Sequence, residues 1–422
     1  MSVRIFHPTV APFVQQAARA LHEAGQLDRF VTTLRYAPEN FSQRALFTAG
    51  RLAGLDLERE FRRRTVDAVP ASCLESHPWG ELLRVATGRL DRDGRALDYV
   101  WERTERAFDR AVARRLHPGL SGVYAFEYSS LQTITRARAL GICVAYDAPA
   151  PEPQSVQTIL DREMARFPDI VTPWHRWITE REGPRIARRR AEFERADVVI
   201  AASEFTRRSF AAAGLDAAKI HVVPYGAPKV ADRDGALRGG TESGPVQFAW
   251  AGVFSLRKGA HYLLESWRRH QLGRHARLRI YGHVELPARA IQPLPEGIEF
   301  AGSVPRAELL AALQRSDALI FPTLCDGFGM VVTEAWSRGV PVITTASAGA
   351  ADLLKPQENG LLIPAADPAA IASAVEWCVA HRPALRAMRE AALRTAENWQ
   401  WSDYRQRLAA VLRTAGLFSS PS

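Results

Sequence analysis

Two carboxylates, Asp326 and Glu334, stand eight positions apart in the segment FPTLCDGFGMVVTEAWSRGVPVIT, residues 321–344. An apolar run delivers the chain to Asp326, a glycine-rich turn follows, and the pattern predicts a helix opening near Gly329 with Glu334 on it. A helix start presents unpaired backbone N–H groups and the positive end of a dipole, which suits a diphosphate. Gly327 and Gly329 lack a Cβ, so the backbone there can approach a ligand closely. Both carboxylates can then accept hydrogen bonds from sugar hydroxyls. The plain alternative is a strand-to-helix turn capped by Asp326, with Glu334 in solvent.

A second constellation is AGVFSLRKGAHYLLESW, residues 251–267, where a strand ends at Gly252 and the basic pair Arg257 and Lys258 precedes a predicted helix. Two cations at the carboxyl end of a strand are placed to neutralise a diphosphate leaving group. Cations at a helix start oppose the dipole, so the position asks for a reason, the alternative being a solvated pair. Of 55 basic residues only Lys219, Lys229, Lys258 and Lys355 are lysines, and one of them falls in this loop. His7, Glu127 and Asp147 each end an apolar run and are either cleft residues or caps.

The elements that must position these groups read as a doubly wound α/β chain. The run Val3 to Phe6 is followed by an amphipathic stretch ending at Gly25 and then by RFVTTL. Residues 41–117 are mostly Arg/Glu-laced helix with few strand signals, read as helical insertions. Alternation resumes with GVYAFEY, ICVAYDAP, DVVIAAS and KIHVVPYGAP, completing a first domain over 1–228. Residues 229–245 are polar, Gly-rich and without period, which marks a linker. A second domain over 246–396 alternates short apolar strands with amphipathic helices, implying a parallel sheet covered on both faces. The stretch NWQWSDYRQRLAAVL predicts a last helix within 400–417.

The segment DGFGMVVTEAWSRGVPVI resembles the signature of retaining glycosyltransferases of family 4, also called group 1: an acidic residue, seven residues, then Glu. Asp326 stands where that family usually has Glu, keeping the charge on a shorter side chain. The resemblance implies a GT-B architecture of two Rossmann-like domains facing a central cleft, with the C-terminal helix crossing back to the first domain. It also implies that Asp326, Arg257 and Lys258 are catalytic. Gly252, Gly327, Phe328, Gly329, Met330, Val331 and Glu334 would bind the nucleotide-sugar donor, Glu334 through the ribose. Val253 occupies the place of the family's arginine, for which Arg257 is the candidate replacement. His7, Glu127 and Asp147 are the candidates on the acceptor side. The expected activity is transfer of a sugar to a glycan or lipid-linked acceptor with retention. A nucleotide-sugar epimerase, a glycan phosphorylase and a non-catalytic nucleotide-sugar binding protein are the alternatives.

Composition narrows the setting. The net charge of +9 is divided between both halves, unlike a dedicated nucleic-acid domain, so no nucleic-acid partner is expected. Cys73, Cys143, Cys325 and Cys378 form no CxxC pair, which suggests neither a zinc site nor a disulfide framework. No metal or other cofactor is expected. No apolar run reaches the ~20 residues that cross a bilayer, and the first residues lack a signal-peptide pattern, giving a cytoplasmic expectation. The basic stretch 181–195 is either a solvated helix with Glu/Arg pairs or a contact with the inner membrane surface.

Overall fold

The computed structural model describes residues 2–52, 56–91, 93–241 and 243–418, so Arg92, Glu242 and residues 53–55, which fall in the expected insertions and linker, lie outside the description. The first half builds a seven-stranded parallel sheet from β1 (Val3–Phe6), β2 (Leu27–Thr32), β3 (Leu74–Ser76), β4 (Gly122–Phe126), β5 (Cys143–Ala148), β6 (Val198–Ala201) and β7 (Ile220–Val222). Its spatial order is β3-β2-β1-β4-β5-β6-β7. The second half builds a six-stranded parallel sheet from β8 (Val246–Ala251), β9 (Ala276–Tyr281), β10 (Ile298–Gly302), β11 (Ala318–Phe321), β12 (Val342–Thr345) and β13 (Gly360–Ile363), in the order β10-β9-β8-β11-β12-β13.

Around the first sheet lie α1 (Pro12–Glu23), α2 (Phe41–Leu52), α3 (Leu57–Arg62), α4 (Trp79–Leu90), α5 (Arg95–Ala113), α6 (Leu131–Ala139), α7 (Pro153–Arg166), α8 (Pro173–Glu194) and α9 (Glu204–Ala212). The second half adds α10 (Arg233–Leu237), α11 (Ala260–Arg269), α12 (Ala288–Ile291), α13 (Arg306–Arg315), α14 (Met330–Trp336), α15 (Pro368–Ala380), α16 (Arg382–Glu397) and α17 (Trp401–Thr414). Successive strand residues point to opposite faces, and each face has its own core. Ile5, Tyr124 and Phe126 enter one cluster, while Phe6, Val123 and Ala125 enter another. The first of these clusters also holds Ala249, Leu319 and Phe321 of the second sheet, so one apolar core is common to both halves.

α17 supplies part of that shared core with Leu408 and Leu412, both fully buried. It returns to the first half, where Arg405 donates to Glu23 and Gln16 of α1, each at 2.7 Å. At its start Gly226 passes so close to the chain that a Cβ there would lie 2.3 Å from the Trp401 nitrogen. This is the crossing helix that the family resemblance implies.

Three expectations need correction. β3 lies on the outer edge of the first sheet inside the stretch read as helical; its three residues, Leu-Glu-Ser, are too few to show a period. Residues 229–245 are no free linker, because α10 is capped by Asp232 and buries Ala236, and Arg389 donates to the Ala236 carbonyl at 2.9 Å. Asp317 further pins Thr241 through its backbone and its hydroxyl. The basic stretch 181–195 turns most of its arginines inward: Arg185 is 3% exposed and meets Asp98 and Glu102, Arg188 meets Asp109, and Arg189 meets Glu127 and Glu182. Its Arg/Glu pairs are therefore packing contacts more than a solvated face.

Candidate active site

In an open parallel sheet a crevice forms at the carboxyl edge where the strand order reverses. The second sheet reverses between β8 and β11, and the two motifs picked out by sequence are the loops that leave these two strands. They are stitched together. Gly259, at φ +69°, has Pro322's carbonyl oxygen 2.1 Å from where a Cβ would stand. Leu324 N–H donates to the Arg257 carbonyl at 3.0 Å, and Arg257 Nη1 donates to the Cys325 carbonyl at 2.9 Å.

Across this seam Lys258 Nζ forms an ion pair with Asp326 Oδ2, and both side chains are nearly buried. The ammonium also lies 5.1 Å from the centre of the Phe321 ring. Burial and the neighbouring Arg257 push the Lys258 pKa well down, and contact with the Asp326 carboxylate works in the opposite direction. Asp326 also accepts from its own turn at Phe328 N–H, 3.3 Å, so the turn cap and the paired carboxylate are the same residue.

The turn itself differs in purpose from the simplest expectation. The space beside Gly327 is filled by the loop after β5: a Cβ there would lie 2.0 Å from the Pro149 carbonyl oxygen. The Gly327 carbonyl accepts from Ser203 Oγ at 2.7 Å and Thr206 Oγ1 at 3.2 Å. Phe328 is buried against Tyr225, leaving only its backbone for a ligand. Gly329 adopts φ +82° as the N-cap of α14, with Met330 and Val331 half-buried after it. Gly252 sits exposed at the end of β8 with φ +137°.

Glu334 is not on a solvated face. It is nearly buried and pairs with Arg306 at 2.9 Å, a partner at the start of α13 that no sequence signal marks. Burial raises its pKa, and Arg306 and Arg338 oppose the rise.

The first sheet reverses between β1 and β4, which places His7 and Glu127 at its crevice. His7 meets the Phe126 ring edge-on at 5.0 Å and bonds Thr9 through Nδ1; burial pushes its pKa down to about 4, so the imidazole is neutral at pH 7. Glu127 offers no free carboxylate, being paired with Arg189 at 2.6 Å. Asp147 is not a cleft residue: it is 1% exposed beneath the crevice and accepts from Tyr124 at 2.6 Å and Tyr225 at 3.2 Å. Its burial lifts the pKa to about 7 despite these bonds. Tyr225 then stacks on Phe13 and abuts Phe328, so a row of rings joins the crevice of the first sheet to the acidic turn of the second.

Sequence reasoning missed the wall opposite Arg257. A cavity of 280 Å³ lies between the halves, lined by Val253, Arg257 and Glu285 on one side and by Gln157, Trp174 and His175 on the other. Burial raises the pKa of Glu285, and His283 and Arg257 restrain it. Gln157, Trp174, His175 and Glu285 stand outside the motifs that the sequence marks. Among the described residues no group of three or more His, Cys, Asp or Glu is arranged to hold a metal ion.

Residues 245–381 match the family described as glycosyl transferases group 1. A D-inositol 3-phosphate glycosyltransferase of Catenulispora acidiphila is 31% identical over 111 residues, 26% of this chain and 27% of that one. The D-rhamnosyltransferase WbpZ of Pseudomonas aeruginosa is 29% identical over 178 residues, 39% and 45% of the two chains. The chain thus spans less than half the length of these curated relatives. Among solved structures, a sucrose-phosphate synthase of Thermosynechococcus elongatus aligns over 98% of both chains with TM-score 0.63 and 16% identity. The Anabaena protein HepE in complex with UDP aligns over 98% of this chain and all of its own, with TM-score 0.58 and 14% identity. The fold is GT-B.

Proposed function

We propose, from a chain whose residues 245–381 match the group 1 glycosyltransferases, that the protein transfers a sugar from a nucleoside-diphosphate sugar to a glycan or lipid-linked glycan with retention of anomeric configuration. The carrying observation is the Lys258–Asp326 pair, with Arg257 beside it, across the strand-order reversal of the second sheet. A donor diphosphate entering there meets two cations, and Lys258 exchanges Asp326 for phosphate oxygens. Asp326 is then released toward the donor sugar, and Glu334, steadied by Arg306, faces the ribose hydroxyls.

Transfer breaks the bond between the anomeric carbon and the phosphate oxygen and forms one to the acceptor oxygen on the same face. The departing phosphate takes the acceptor's proton. Arg257 and Lys258 stabilise the charge that grows on the leaving group, which is where fixed cations act most strongly. No metal is required in this scheme. The protein is read as cytoplasmic, working on acceptors at or near the membrane.

The departure at Val253, exposed in the cavity, favours one second reading, a non-catalytic nucleotide-sugar binding protein. Thermal-shift titration with UDP-, GDP-, ADP- and dTDP-sugars tests donor binding, since a ligand at 100 times its Kd adds about 2.7 kcal/mol. A selective shift that Glu334→Gln weakens is expected; no shift with any donor overturns the proposal. Acceptor-dependent nucleotide release then separates the transferase from the binding protein.

A further inference from the structure

A cavity of 360 Å³ lies at the amino edge of the second sheet. Val246, which opens β8, and Asp317, just before β11, both line it, together with Thr241 of the segment that joins the halves. The donor crevice sits at the carboxyl ends of these same two strands. A strand of six residues such as β8 is about 20 Å long, so the cavity is separate from that crevice. The rest of its polar wall comes from the start of α16, which contributes Arg382, Arg386 and Arg389.

Arg389 is 2% exposed, and its guanidinium is held by carbonyls. Nε donates to Ala236 and Nη1 to Ser316, each at 2.9 Å, while Nη2 donates to Gln314 at 3.1 Å and to Arg338 at 3.4 Å. Burial lowers its pKa to about 10, a fall that Asp317 opposes and Arg386 deepens. A buried cation surrounded by neutral acceptors is costly, and an anion in the cavity would offset that cost. Among the described residues Asp317 is the one carboxylate that lines the cavity. Its oxygens are already engaged, accepting from Thr241 N–H at 2.8 Å, the Thr241 hydroxyl at 2.6 Å and Gln247 N–H at 2.7 Å.

Arg382 and Arg386 stand four apart at the start of α16, on one face of the helix. Cations in a first turn oppose the helix dipole, and this turn has no acidic residue and no side-chain cap from His381. Arg382 donates to the Gly244 carbonyl and Arg386 to the Thr241 carbonyl at 3.1 Å, which leaves each guanidinium further donors for a ligand. Three cations against one carboxylate leave the described lining with an excess of positive charge. We infer that this cavity binds a phosphate dianion, free or as the monoester of a small metabolite, between the three arginines and the start of α16. Guanidinium forks match phosphate oxygens in pairs, and the volume suits a small ligand. The site goes beyond the transferase reading and stands without it.

Calorimetric titration of the full chain in low-salt chloride buffer with inorganic phosphate, glycerol 3-phosphate, glycerol and acetate tests the site. The same titrations on Arg257→Ala/Lys258→Ala, whose donor crevice has lost its cations, separate the two sites. Both phosphates are expected to bind the wild type and this variant, and glycerol and acetate neither. Arg382→Gln and Arg386→Gln should each weaken phosphate binding about tenfold, as loss of one charge-assisted contact does, with the phosphate-free melting temperature retained. Tighter binding of glycerol 3-phosphate than of inorganic phosphate assigns the monoester, and equal or weaker binding assigns free phosphate. Absence of phosphate binding, acetate binding as tight as that of phosphate, or unaltered binding in both arginine variants would overturn the inference. So would loss of binding in Arg257→Ala/Lys258→Ala, which would put the anion in the donor crevice.

Discussion

Lys258 is one of four lysines in the chain, and its ammonium is held nearly buried between a carboxylate, a guanidinium and an aromatic ring. A preorganised cation aimed at a leaving group affects the barrier more than the ground state. Lys258→Ala is therefore expected to lower kcat on the order of a hundredfold with a smaller change in donor affinity. Wild-type turnover should continue in excess EDTA, because these side chains carry the charge; loss of turnover that added Mg or Mn restores would overturn that assignment. Arg257→Ala should be comparably harmful if it replaces the missing arginine at Val253, and near-normal turnover would return that guanidinium to its structural bond with Cys325. Asp147 makes a different prediction. Its pKa of about 7 in the fold lies above the usual carboxylate value, so the folded state binds the extra proton between about pH 4 and pH 7. That contribution to stability is fully present below the unfolded value and is lost as pH rises through 7. Asp147→Asn should thus be more stable than the wild type at pH 8, by a margin that shrinks toward pH 4; urea unfolding at the two pH values checks it, and a margin independent of pH would fail it.

At the scale of elements, the loop after β11 is held from the first half as well as from its own sheet, through Pro149 against Gly327 and through Ser203 and Thr206 on its carbonyl. Gly327→Ala places a methyl group against the backbone of Pro149 and Ala150, which must shift, at a cost of about 1–3 kcal/mol. Gly183→Ala in α8, where nothing lies within 4 Å of the new methyl, is the matched control and should be neutral or slightly stabilising. Equal melting temperatures for the two variants would show that the loop yields freely. This contact also explains what sequence reading could and could not reach. The Gly-rich turn, both cations and both carboxylates were legible because they fall in one contiguous segment each, at the ends of apolar strands. The partners that decide their chemistry, Pro149 and Ser203 at the turn and Arg306 at Glu334, come from distant segments and carry no local period. β3 was hidden for a related reason: an edge strand of three residues is defined by its neighbour β2 more than by its own pattern. Asp147 and Glu127 were correctly placed at strand ends, but whether such a residue faces a cleft or a tyrosine pair depends on packing alone.

For the whole molecule, a buried polar link between the halves outside the acidic turn is Glu163 of α7, 4% exposed, which accepts from His261 Nε2 at 3.0 Å and from the Tyr262 hydroxyl at 2.7 Å, both on α11. Phe167 closes over this group, with ring centres 4.7 Å from His261 and 5.4 Å from Tyr262. Burial by itself would raise the Glu163 pKa, but the bonds from His261 and Tyr262 outweigh it and hold the carboxyl below its ordinary value. A depressed carboxylate contributes stability above its unfolded pKa of about 4.3 and loses it as pH falls through the folded value. Glu163→Ala leaves two buried donors without an acceptor and should cost about 1–3 kcal/mol at pH 7, with Glu163→Gln costing less because an acceptor remains. The difference between wild type and Glu163→Gln should shrink below about pH 4, where the wild-type carboxyl takes up its proton. α11 begins two residues after Lys258, so loosening its hold on α7 should also move the cation relative to the donor. Donor KM is then expected to rise in Glu163→Ala while kcat falls far less than in Lys258→Ala. Steady-state kinetics and urea unfolding on the same variants decide the matter: a stability loss with unchanged KM would confine Glu163 to holding the halves together, and no loss of either would remove it from the interface altogether.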